Sequence, residues 1–259
     1  MEKDYRDLVT KRYFEEAQQS ELSLKSTMPD SNTRRLEIEN ILKYINENDS
    51  CLEIGCGNGA ASIEISKIKT LDLTSIDDNE EMIKLAKKQP SNEIKGKIQF
   101  QRLNVLNLEF QETHDTIFSI RCLVNLMIWE DQKKALQKMA KAVKKGGKLI
   151  LLEAFSDGLD ELNQARKELG LENIPPAYHN LHLNKELVIP HLQENNMNLI
   201  KEDNFLSSYY FGSRILYPAL AKANNVEIVK NSKIDKFFSY FTPIGNFSLI
   251  KILAFQKNN

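Results

Sequence analysis

From residue 50 onwards the sequence alternates short apolar runs with longer amphipathic segments, and this alternation restricts the chain to few folds. The strand-like runs are residues 50–54, 70–76, 97–103, 116–121 and 148–154. Helical spacing of apolar residues is found between them at 60–68, 79–88 and 131–145, the last of which is expected to end at Gly146-Gly147. Strands separated by helices of about ten residues form βαβ units, with helices on both faces of a parallel sheet. We therefore predict an α/β fold with a doubly wound, mostly parallel sheet.

The two ends of the chain have a different pattern. The first part is polar with helical spacing, and the last part contains helical segments and two more strand-like runs, separated by a stretch rich in Tyr and Phe. Connections that long usually have a function or a structure of their own. We predict a single domain over 1–259, with an N-terminal helical segment at 1–48, a core at 49–155, cap insertions at 156–196 and 207–245, and last strands at 197–206 and 246–256.

Composition argues against several classes of protein. The chain has 259 residues and 35 Lys and Arg against 36 Asp and Glu, so its formal net charge is −1. This balance provides no general field that would attract nucleic acid. No apolar run approaches the ~18 residues that span a bilayer, and the charged start, Met1-Glu2-Lys3-Asp4, is not typical of a signal peptide. Cys51, Cys56 and Cys122 indicate reduced thiols, so we expect a cytoplasmic protein. We also expect a monomer or homodimer without nucleic-acid or membrane partners.

The strongest local signal is the run of alternating glycines at Gly55, Gly57 and Gly59. A predicted strand precedes it and a predicted helix follows it. Glycines let the backbone turn sharply and let a ligand approach the main chain, while the start of the helix offers free N–H groups. Asp77 ends the next predicted strand, about twenty residues on, where an acidic residue suits the hydroxyls of a ribose. Together these features indicate a nucleotide-like ligand rather than a tight turn with no ligand.

Two classes of ligand remain open from these residues. Gly55, Gly57 and Ala60 satisfy the dinucleotide pattern G-x-G-x-x-G/A, which favours a nicotinamide cofactor. Glu53, two residues before the first glycine, disfavours a pyrophosphate and suits a cationic ligand.

The stretch Glu53-Ile-Gly-Cys-Gly-Asn-Gly59 resembles the E/D-x-G-x-G-x-G motif of class I S-adenosylmethionine-dependent methyltransferases, and the chain looks like a bacterial small-molecule type. The resemblance extends through Asp77, through 103–105 and 115–119, and through 143–151, which is similar to the "LkpGG" segment before the fifth strand. It covers roughly residues 34–155 and the last two strands, and it implies a seven-stranded, Rossmann-like methyltransferase fold with an added helical and aromatic cap.

The resemblance also implies which residues contact S-adenosylmethionine. The glycine backbone would lie along the methionine part, Glu53 near the ammonium and sulfonium, and Asp77 at the ribose. Asn104 stands where the family often has Asp, and its carbonyl can accept the same hydrogen bond from the adenine amino group. The expected cofactor-binding residues are Glu53, Gly55, Cys56, Gly57, Asn58, Gly59, Asp77, Asp78, Met82, Asn104, Val105 and Leu106.

The methyl acceptor is predicted from position. Ligands of open α/β sheets bind outside the carboxyl ends of the strands, and Arg121 ends the fourth predicted strand. Its guanidinium suits an anionic acceptor, although it could instead pair with Glu53 or Glu153. His179 is a candidate general base for a hydroxyl acceptor, or else a solvated or capping residue. The catalytic candidates are thus Arg121 and His179, and the substrate-binding candidates are Arg121, Tyr178, Tyr209, Tyr210, Arg214, Tyr13 and Arg34.

The function predicted from the sequence is methyl transfer from S-adenosylmethionine to a small polar molecule, for which we expect an anionic group. The alternatives are a nicotinamide-dependent oxidoreductase and a cofactor-binding regulatory protein without turnover. No cluster of Asp, Glu or His near the predicted strand ends has the spacing of metal ligands. We therefore expect no catalytic metal.

Overall fold

The protein is described by a computed structural model that covers residues 5–20, 22–23 and 28–259. The prediction made for Met1-Glu2-Lys3-Asp4 lies outside these residues. The helices are α1 (Tyr5–Ser20), α2 (Ser31–Ile41), α3 (Ala60–Ile68), α4 (Glu80–Ala86), α5 (Trp129–Ala142), α6 (Ser156–Glu168), α7 (Lys185–Glu194), α8 (Ser207–Tyr210), α9 (Tyr217–Ala223) and α10 (Lys233–Phe238). The strands are β1 (Ser50–Ile54), β2 (Asp72–Asp77), β3 (Lys97–Arg102), β4 (His114–Ile120), β5 (Val143–Ala154), β6 (Met197–Asp203) and β7 (Ile250–Lys257).

The seven strands form one sheet in the order β3-β2-β1-β4-β5-β7-β6. The pairs from β3 to β5 are parallel, whereas β7 runs antiparallel to both β5 and β6. The central strands are apolar on both faces, and Leu149 to Leu152 of β5 are all fully buried. A strand of this kind needs helices on both sides of the sheet. The prediction of a doubly wound, mostly parallel seven-stranded sheet is confirmed.

The prediction that Gly146-Gly147 ends a helix is wrong. Helix α5 already ends at Ala142, and β5 begins at Val143. In the pairing with β4, His114 lies opposite Val143 and Thr116 opposite Lys148, so residues 144–147 bulge out of the ladder. Gly146 has a φ of +71°, and a Cβ on Gly147 would lie 2.6 Å from the carbonyl oxygen of Asp115. The two glycines therefore serve a bulge inside the strand.

The segments predicted as cap insertions lie in different surroundings. In the first, α7 packs against α5 and β6. In the second, α8, α9 and α10 surround a π-helical turn at Phe211–Leu216, which also contacts α6. This second segment is joined to α2 by Asp30, which caps that helix and accepts hydrogen bonds from Tyr209 and Arg214. Among the described residues, no helix is long and apolar enough to cross a membrane.

Close packing between α6 and the approach to β7 predicts a stability effect at Gly158. A Cβ on this residue would lie 2.0 Å from the backbone oxygen of Ser248. We expect Gly158→Ala to lower the free energy of unfolding by at least about 1 kcal/mol, because overpacking outweighs the better helix propensity of alanine. Glu161→Ala, on the exposed side of the same helix, should stay within about 0.5 kcal/mol of the parent protein. Chemical denaturation measures both values, and equal stabilities would contradict this account of the packing.

Candidate active site

A cavity of about 270 Å³ lies at the carboxyl ends of β1, β2 and β4. This is the edge at which open parallel sheets bind ligands, because the loops after neighbouring strands diverge there. All of its described lining residues fall between residues 5 and 126. One face of α1 covers part of it, through Tyr5, Arg6, Val9, Thr10 and Tyr13.

The glycine turn after β1 forms one wall of the cavity. Gly55, Gly57 and Gly59 have φ values of +75°, +54° and +74°, which favour glycine at each position. At Gly55 there is a second reason, since a Cβ would lie 2.2 Å from Sγ of Cys122. The N–H of Gly57 donates to Oδ2 of Asp77 over 2.9 Å, which fixes the turn to the end of β2.

The Asp77 carboxylate has acceptor capacity to spare. Oδ2 is bonded to Gly57, and Oδ1 accepts the N–H of Asn79 over 2.9 Å. A carboxylate has about four acceptor sites, so two hydroxyl groups of a diol can still donate to it. Burial raises the pKa of Asp77, against the lowering effect of the two backbone N–H groups. Asp77 therefore fits the ribose of a nucleoside cofactor.

The loop after β3 supplies an apolar wall. Val105 and Leu106 begin a short 3-10 turn at Val105–Asn107 and are 7% and 8% exposed. Asn104 caps this turn by accepting the N–H of Leu106 over 2.8 Å, and its Nδ2 donates to Oδ2 of Asp78 over 2.8 Å. The Asn104 carbonyl oxygen keeps a second lone pair, so this wall fits a planar heteroaromatic ring with an amino group.

Glu53 is a buried carboxylate at the end of β1. It is 1% exposed, and Oε2 accepts hydrogen bonds from Ser62 and, over 2.7 Å, from Ser75. Burial raises the pKa of Glu53, and these hydrogen bonds and the charge of Arg34 oppose the increase. A cationic ligand in the cavity would favour its ionised form.

Two arginines that line the cavity meet at one buried carboxylate. Nε of Arg121 donates to Oε1 of Glu37 over 2.7 Å, and Nη1 of Arg34 lies 3.0 Å from Oε2 of the same residue. Burial lowers the pKa of Arg34 to about 10; Arg121 adds to this shift and Glu37 opposes it. Arg121 also has a φ of +52°, a conformation uncommon outside glycine and often found at functional sites. The two arginines thus share Glu37, and the carboxylate of Glu53 also acts electrostatically on Arg34.

Comparison with known sequences agrees with this geometry. A profile described as a methyltransferase domain matches residues 51–147. An O-methyltransferase of Aspergillus nomiae is 29% identical over 108 residues, which are 41% of this chain and 47% of that protein. An O-methyltransferase of Penicillium expansum is 24% identical over 113 residues, covering 43% of this chain and 40% of that protein. The chain thus spans less than half the length of these relatives.

Solved structures extend the similarity over nearly the whole chain. Magnesium protoporphyrin IX methyltransferase from Synechocystis, with bound S-adenosylhomocysteine, has a TM-score of 0.59 at 15% identity and covers 98% of both chains. An N-methyltransferase from Bradyrhizobium japonicum, also in complex with S-adenosylhomocysteine, has a TM-score of 0.56 at 16% identity and covers 97% of this chain and 99% of that one. Residues 51–147 thus match a methyltransferase domain, and the chain as a whole has the fold of these two S-adenosylhomocysteine-bound methyltransferases.

Most residues predicted to bind the methyltransferase cofactor line the same cavity. Those present are Glu53, Gly55, Cys56, Gly57, Asn58, Asp77, Asp78, Asn104, Val105 and Leu106. Gly59 and Met82 are not among the lining residues: Gly59 caps the start of α3, and Met82 is 1% exposed within α4. Whether the ten residues bind the cofactor stays a prediction.

Only three of the predicted acceptor residues line the cavity: Arg121, Arg34 and Tyr13. The alternative prediction was that Arg121 pairs with Glu53 or Glu153, whereas the structure has an ion pair between Arg121 and Glu37. Arg121 also approaches α1 through Asn125, whose Nδ2 donates to the Arg121 carbonyl over 3.4 Å and whose Oδ1 accepts from Tyr13 over 3.2 Å.

The remaining acceptor candidates lie elsewhere. Tyr209 donates to both carboxylate oxygens of Asp30, and Arg214 bonds the same carboxylate over 2.5 Å, so both serve the capped end of α2. Tyr210 is buried beside them at 5% exposure. Tyr178 is 69% exposed, and the neighbouring His179 is 8% exposed, with its pKa lowered by burial and then by the charge of Arg12. None of these five residues lines the cavity within the part of the chain that the structure describes.

Sequence reasoning predicted only Tyr13 from α1 and missed the rest of the face that lines the cavity. Tyr5, Val9 and Tyr13 are four residues apart, as are Arg6 and Thr10, so all five share one face of the helix. Tyr5 and, over 2.7 Å, Arg6 donate to Asp131 of α5, which holds this face over the cavity. The helical spacing was visible in the sequence, but nothing in it indicated which element the face would contact.

Glu153 of β5 was also missed as a support of the site. It is fully buried, and Oε1 accepts from Ser119 over 2.7 Å and from the N–H groups of Cys122 and Leu123 over 3.0 and 3.1 Å. These bonds hold the turn that carries Arg121. Oε2 has no hydrogen-bond partner among the described residues, and burial raises the pKa of Glu153 to about 7.

A metal centre is not evident at this site. Within residues 5–20, 22–23 and 28–259, no three His, Cys, Asp or Glu side chains are grouped so that they could hold a metal ion. Activity without a metal remains a prediction.

The raised pKa of Glu153 predicts a pH-dependent stability. The folded protein holds the proton of the Glu153 carboxyl group more tightly than the unfolded chain does. The stabilisation from this protonated group is complete below about pH 4.5 and is lost as the pH rises through about 7. Glu153→Gln carries a neutral amide at every pH. The free energy of unfolding of the variant minus that of the parent protein should therefore increase by about 2 to 3 kcal/mol when the pH is raised from about 5 to about 8.

Chemical denaturation at the two pH values measures this change. Glu168→Gln, an exposed carboxylate on α6, is the control and should follow the parent protein at both values. A Glu153→Gln variant whose stability differs from the parent by the same amount at both pH values would contradict the assignment.

Proposed function

We propose that the protein transfers a methyl group from S-adenosylmethionine to a small, polar, anionic acceptor. The observation that carries this proposal is that one cavity contains both a glycine turn bonded to Asp77 and the guanidinium groups of Arg34 and Arg121. The first is suited to a nucleoside cofactor and the second to an anion.

On the cofactor side, Asp77 would accept the two ribose hydroxyls, and Val105 and Leu106 would contact the adenine ring. The Gly55 and Gly57 backbone would lie along the methionine portion, where Glu53 would balance positive charge. Bound S-adenosylmethionine supplies an activated methyl group on a positively charged sulfur. The solved structures with bound S-adenosylhomocysteine support this choice of cofactor.

On the acceptor side, the Arg121 guanidinium would hold and orient an anionic group beside the cofactor. Its geometry is prepared, because Glu37 fixes the side chain and Glu153 fixes the backbone turn. Alignment of this kind lowers the barrier to a displacement reaction. The face of α1 would exclude water from the reacting groups, which favours a reaction in which charge on sulfur disappears. The matched O-methyltransferases are consistent with a small-molecule acceptor.

A nicotinamide cofactor is the second candidate, because Gly55, Gly57 and Ala60 fit the dinucleotide pattern. The buried carboxylate of Glu53 in the same cavity disfavours a pyrophosphate. Incubation of the protein with a metabolite extract and methyl-labelled S-adenosylmethionine tests the function directly. Mass spectrometry should detect a labelled, anionic small molecule or its ester, and label transfer to no molecule would contradict methyl transfer.

The cofactor assignment predicts a specific loss of binding in Asp77→Ala. We expect micromolar binding of S-adenosylhomocysteine to the parent protein. The variant should lose about 1.5 to 3 kcal/mol of binding free energy, which is the value for hydrogen bonds to a charged group. Asp72→Ala, at the exposed opposite end of β2, is the matched control and should bind normally. Calorimetry gives all three affinities. Tighter binding of NAD than of S-adenosylhomocysteine would exclude the proposed cofactor.

The acceptor assignment predicts a kinetic defect in Arg121→Lys. Lysine keeps the charge but loses the planar fork of the guanidinium. The variant should therefore lose about 1.5 to 3 kcal/mol of transition-state stabilisation, which corresponds to a roughly 10- to 150-fold lower kcat/KM for the acceptor. Cofactor affinity should change little.

Arg214→Lys is the matched control, because Arg214 bonds Asp30 and does not line the cavity. Its acceptor kinetics should equal those of the parent protein. If Arg121→Lys loses only cofactor affinity, Arg121 belongs to the cofactor site and the acceptor need not be anionic.

A further inference from the structure

One surface of the protein presents large apolar side chains to solvent. Within residues 229–244, six of them are between 43% and 76% exposed: Val229, Ile234, Phe237, Tyr240, Phe241 and Ile244. The rings of Phe237 and Phe241 are in contact, with centroids 4.9 Å apart. An exposed cluster of this size on a soluble domain usually marks an interaction site. We call it the 229–244 surface.

The backbone beneath this surface is firmly held. Asn231 accepts hydrogen bonds from the N–H and hydroxyl of Ser31, both over 3.0 Å. Arg35 donates to Ser239 over 2.8 Å, and Ser208 bonds both the carbonyl of Thr242 and the N–H of Ile244. The apolar side chains are therefore presented by an anchored segment, and their exposure does not result from a loop lacking contacts.

The charge of the 229–244 surface is positive. Lys230, Lys233 and Lys236 are exposed and have no ion pair among the described residues. The single acidic residue in this stretch is Asp235, which is 3% exposed because it forms a capping box with Ser232 at the start of α10. Residues 229–244 thus carry three exposed lysines and no exposed acid.

We propose that the 229–244 surface docks on an anionic phospholipid membrane. Lipid headgroups would attract the lysines, and the aromatic and aliphatic side chains would enter the boundary between headgroups and acyl chains. A second copy of the chain is a poorer occupant, because a two-fold contact would bring the same lysines together. A protein partner is also less suitable, since protein interfaces are depleted in lysine.

This proposal does not depend on methyl transfer, and it revises the expectation from composition that the protein has no membrane partner. The chain-wide charge of −1 conceals the local excess of lysine. Docking here requires no membrane-spanning helix, because side chains of a short segment suffice for a reversible surface contact.

Sedimentation with lipid vesicles tests the proposal on the full chain. Vesicles of phosphatidylcholine with about one quarter phosphatidylglycerol should bind the protein at about 0.1 M salt, and pure phosphatidylcholine vesicles should bind it weakly. Lys233→Glu/Lys236→Glu should reduce the affinity more than about tenfold, because each lysine near an anionic surface adds to the attraction. Phe237→Ser/Phe241→Ser should reduce it comparably by removing the inserted rings.

The matched control is Lys133→Glu/Lys141→Glu on the exposed side of α5, which changes the net charge equally and should leave binding within about twofold. The lysine pairs have exposed side chains, so the test stands even if the phenylalanine variant unfolds. Absence of binding to the anionic vesicles, or equal loss in the control, overturns the proposal. So does light scattering that shows a dimer dissociated by Lys233→Glu/Lys236→Glu, which would assign the surface to self-association.

Discussion

The hydrogen bond between Gly57 and Asp77 joins the two central strand ends on which the site depends. It connects the turn after β1 to the last residue of β2 over 2.9 Å. The turn can take this path because its glycines adopt positive φ values, and the carboxylate is held in place because Asn79 donates to its other oxygen. Asn79 in turn caps α4. One carboxylate thus determines where a strand, a turn and a helix meet, and the cavity is the space they leave.

The part of the cavity around Arg34 and Arg121 is organised by buried charge. Glu37 would be costly to bury alone, and Arg34 and Arg121 offset that cost by sharing it. Glu153 performs a different task, because its carboxylate binds backbone N–H groups and so fixes a turn whose central residue has an unfavourable φ. The side chain and the main chain of Arg121 are therefore held by two separate acids. A surface built in this way can present a cation with little freedom to move away.

The sequence predicted the sheet correctly, and it predicted most residues around the glycine turn of the cavity, because both depend on local pattern. Strand periodicity, the glycine spacing and an acid at the end of β2 all lie within short windows, and ten of twelve predicted cofactor residues line the cavity. The positions of the acceptor candidates were less predictable, because they depend on contacts between distant segments. Arg214 and Arg34 were both acceptor candidates, yet only the fold determines that Arg34 reaches the cavity while Arg214 bonds Asp30. Gly146-Gly147 shows the same limit, since a glycine pair suits a helix end and a bulge equally well.

The contact between Gly55 and Cys122 links the site to thiol chemistry. The sulfur lies where a side chain on Gly55 would begin, so the two positions share one volume. An oxidised sulfur would carry extra oxygen atoms into that volume and displace the glycine turn. Burial raises the pKa of Cys122 well above its ordinary value and keeps it in the protonated form, which reacts slowly with oxidants. The raised pKa therefore lowers the reactivity of a thiol that lines the cavity.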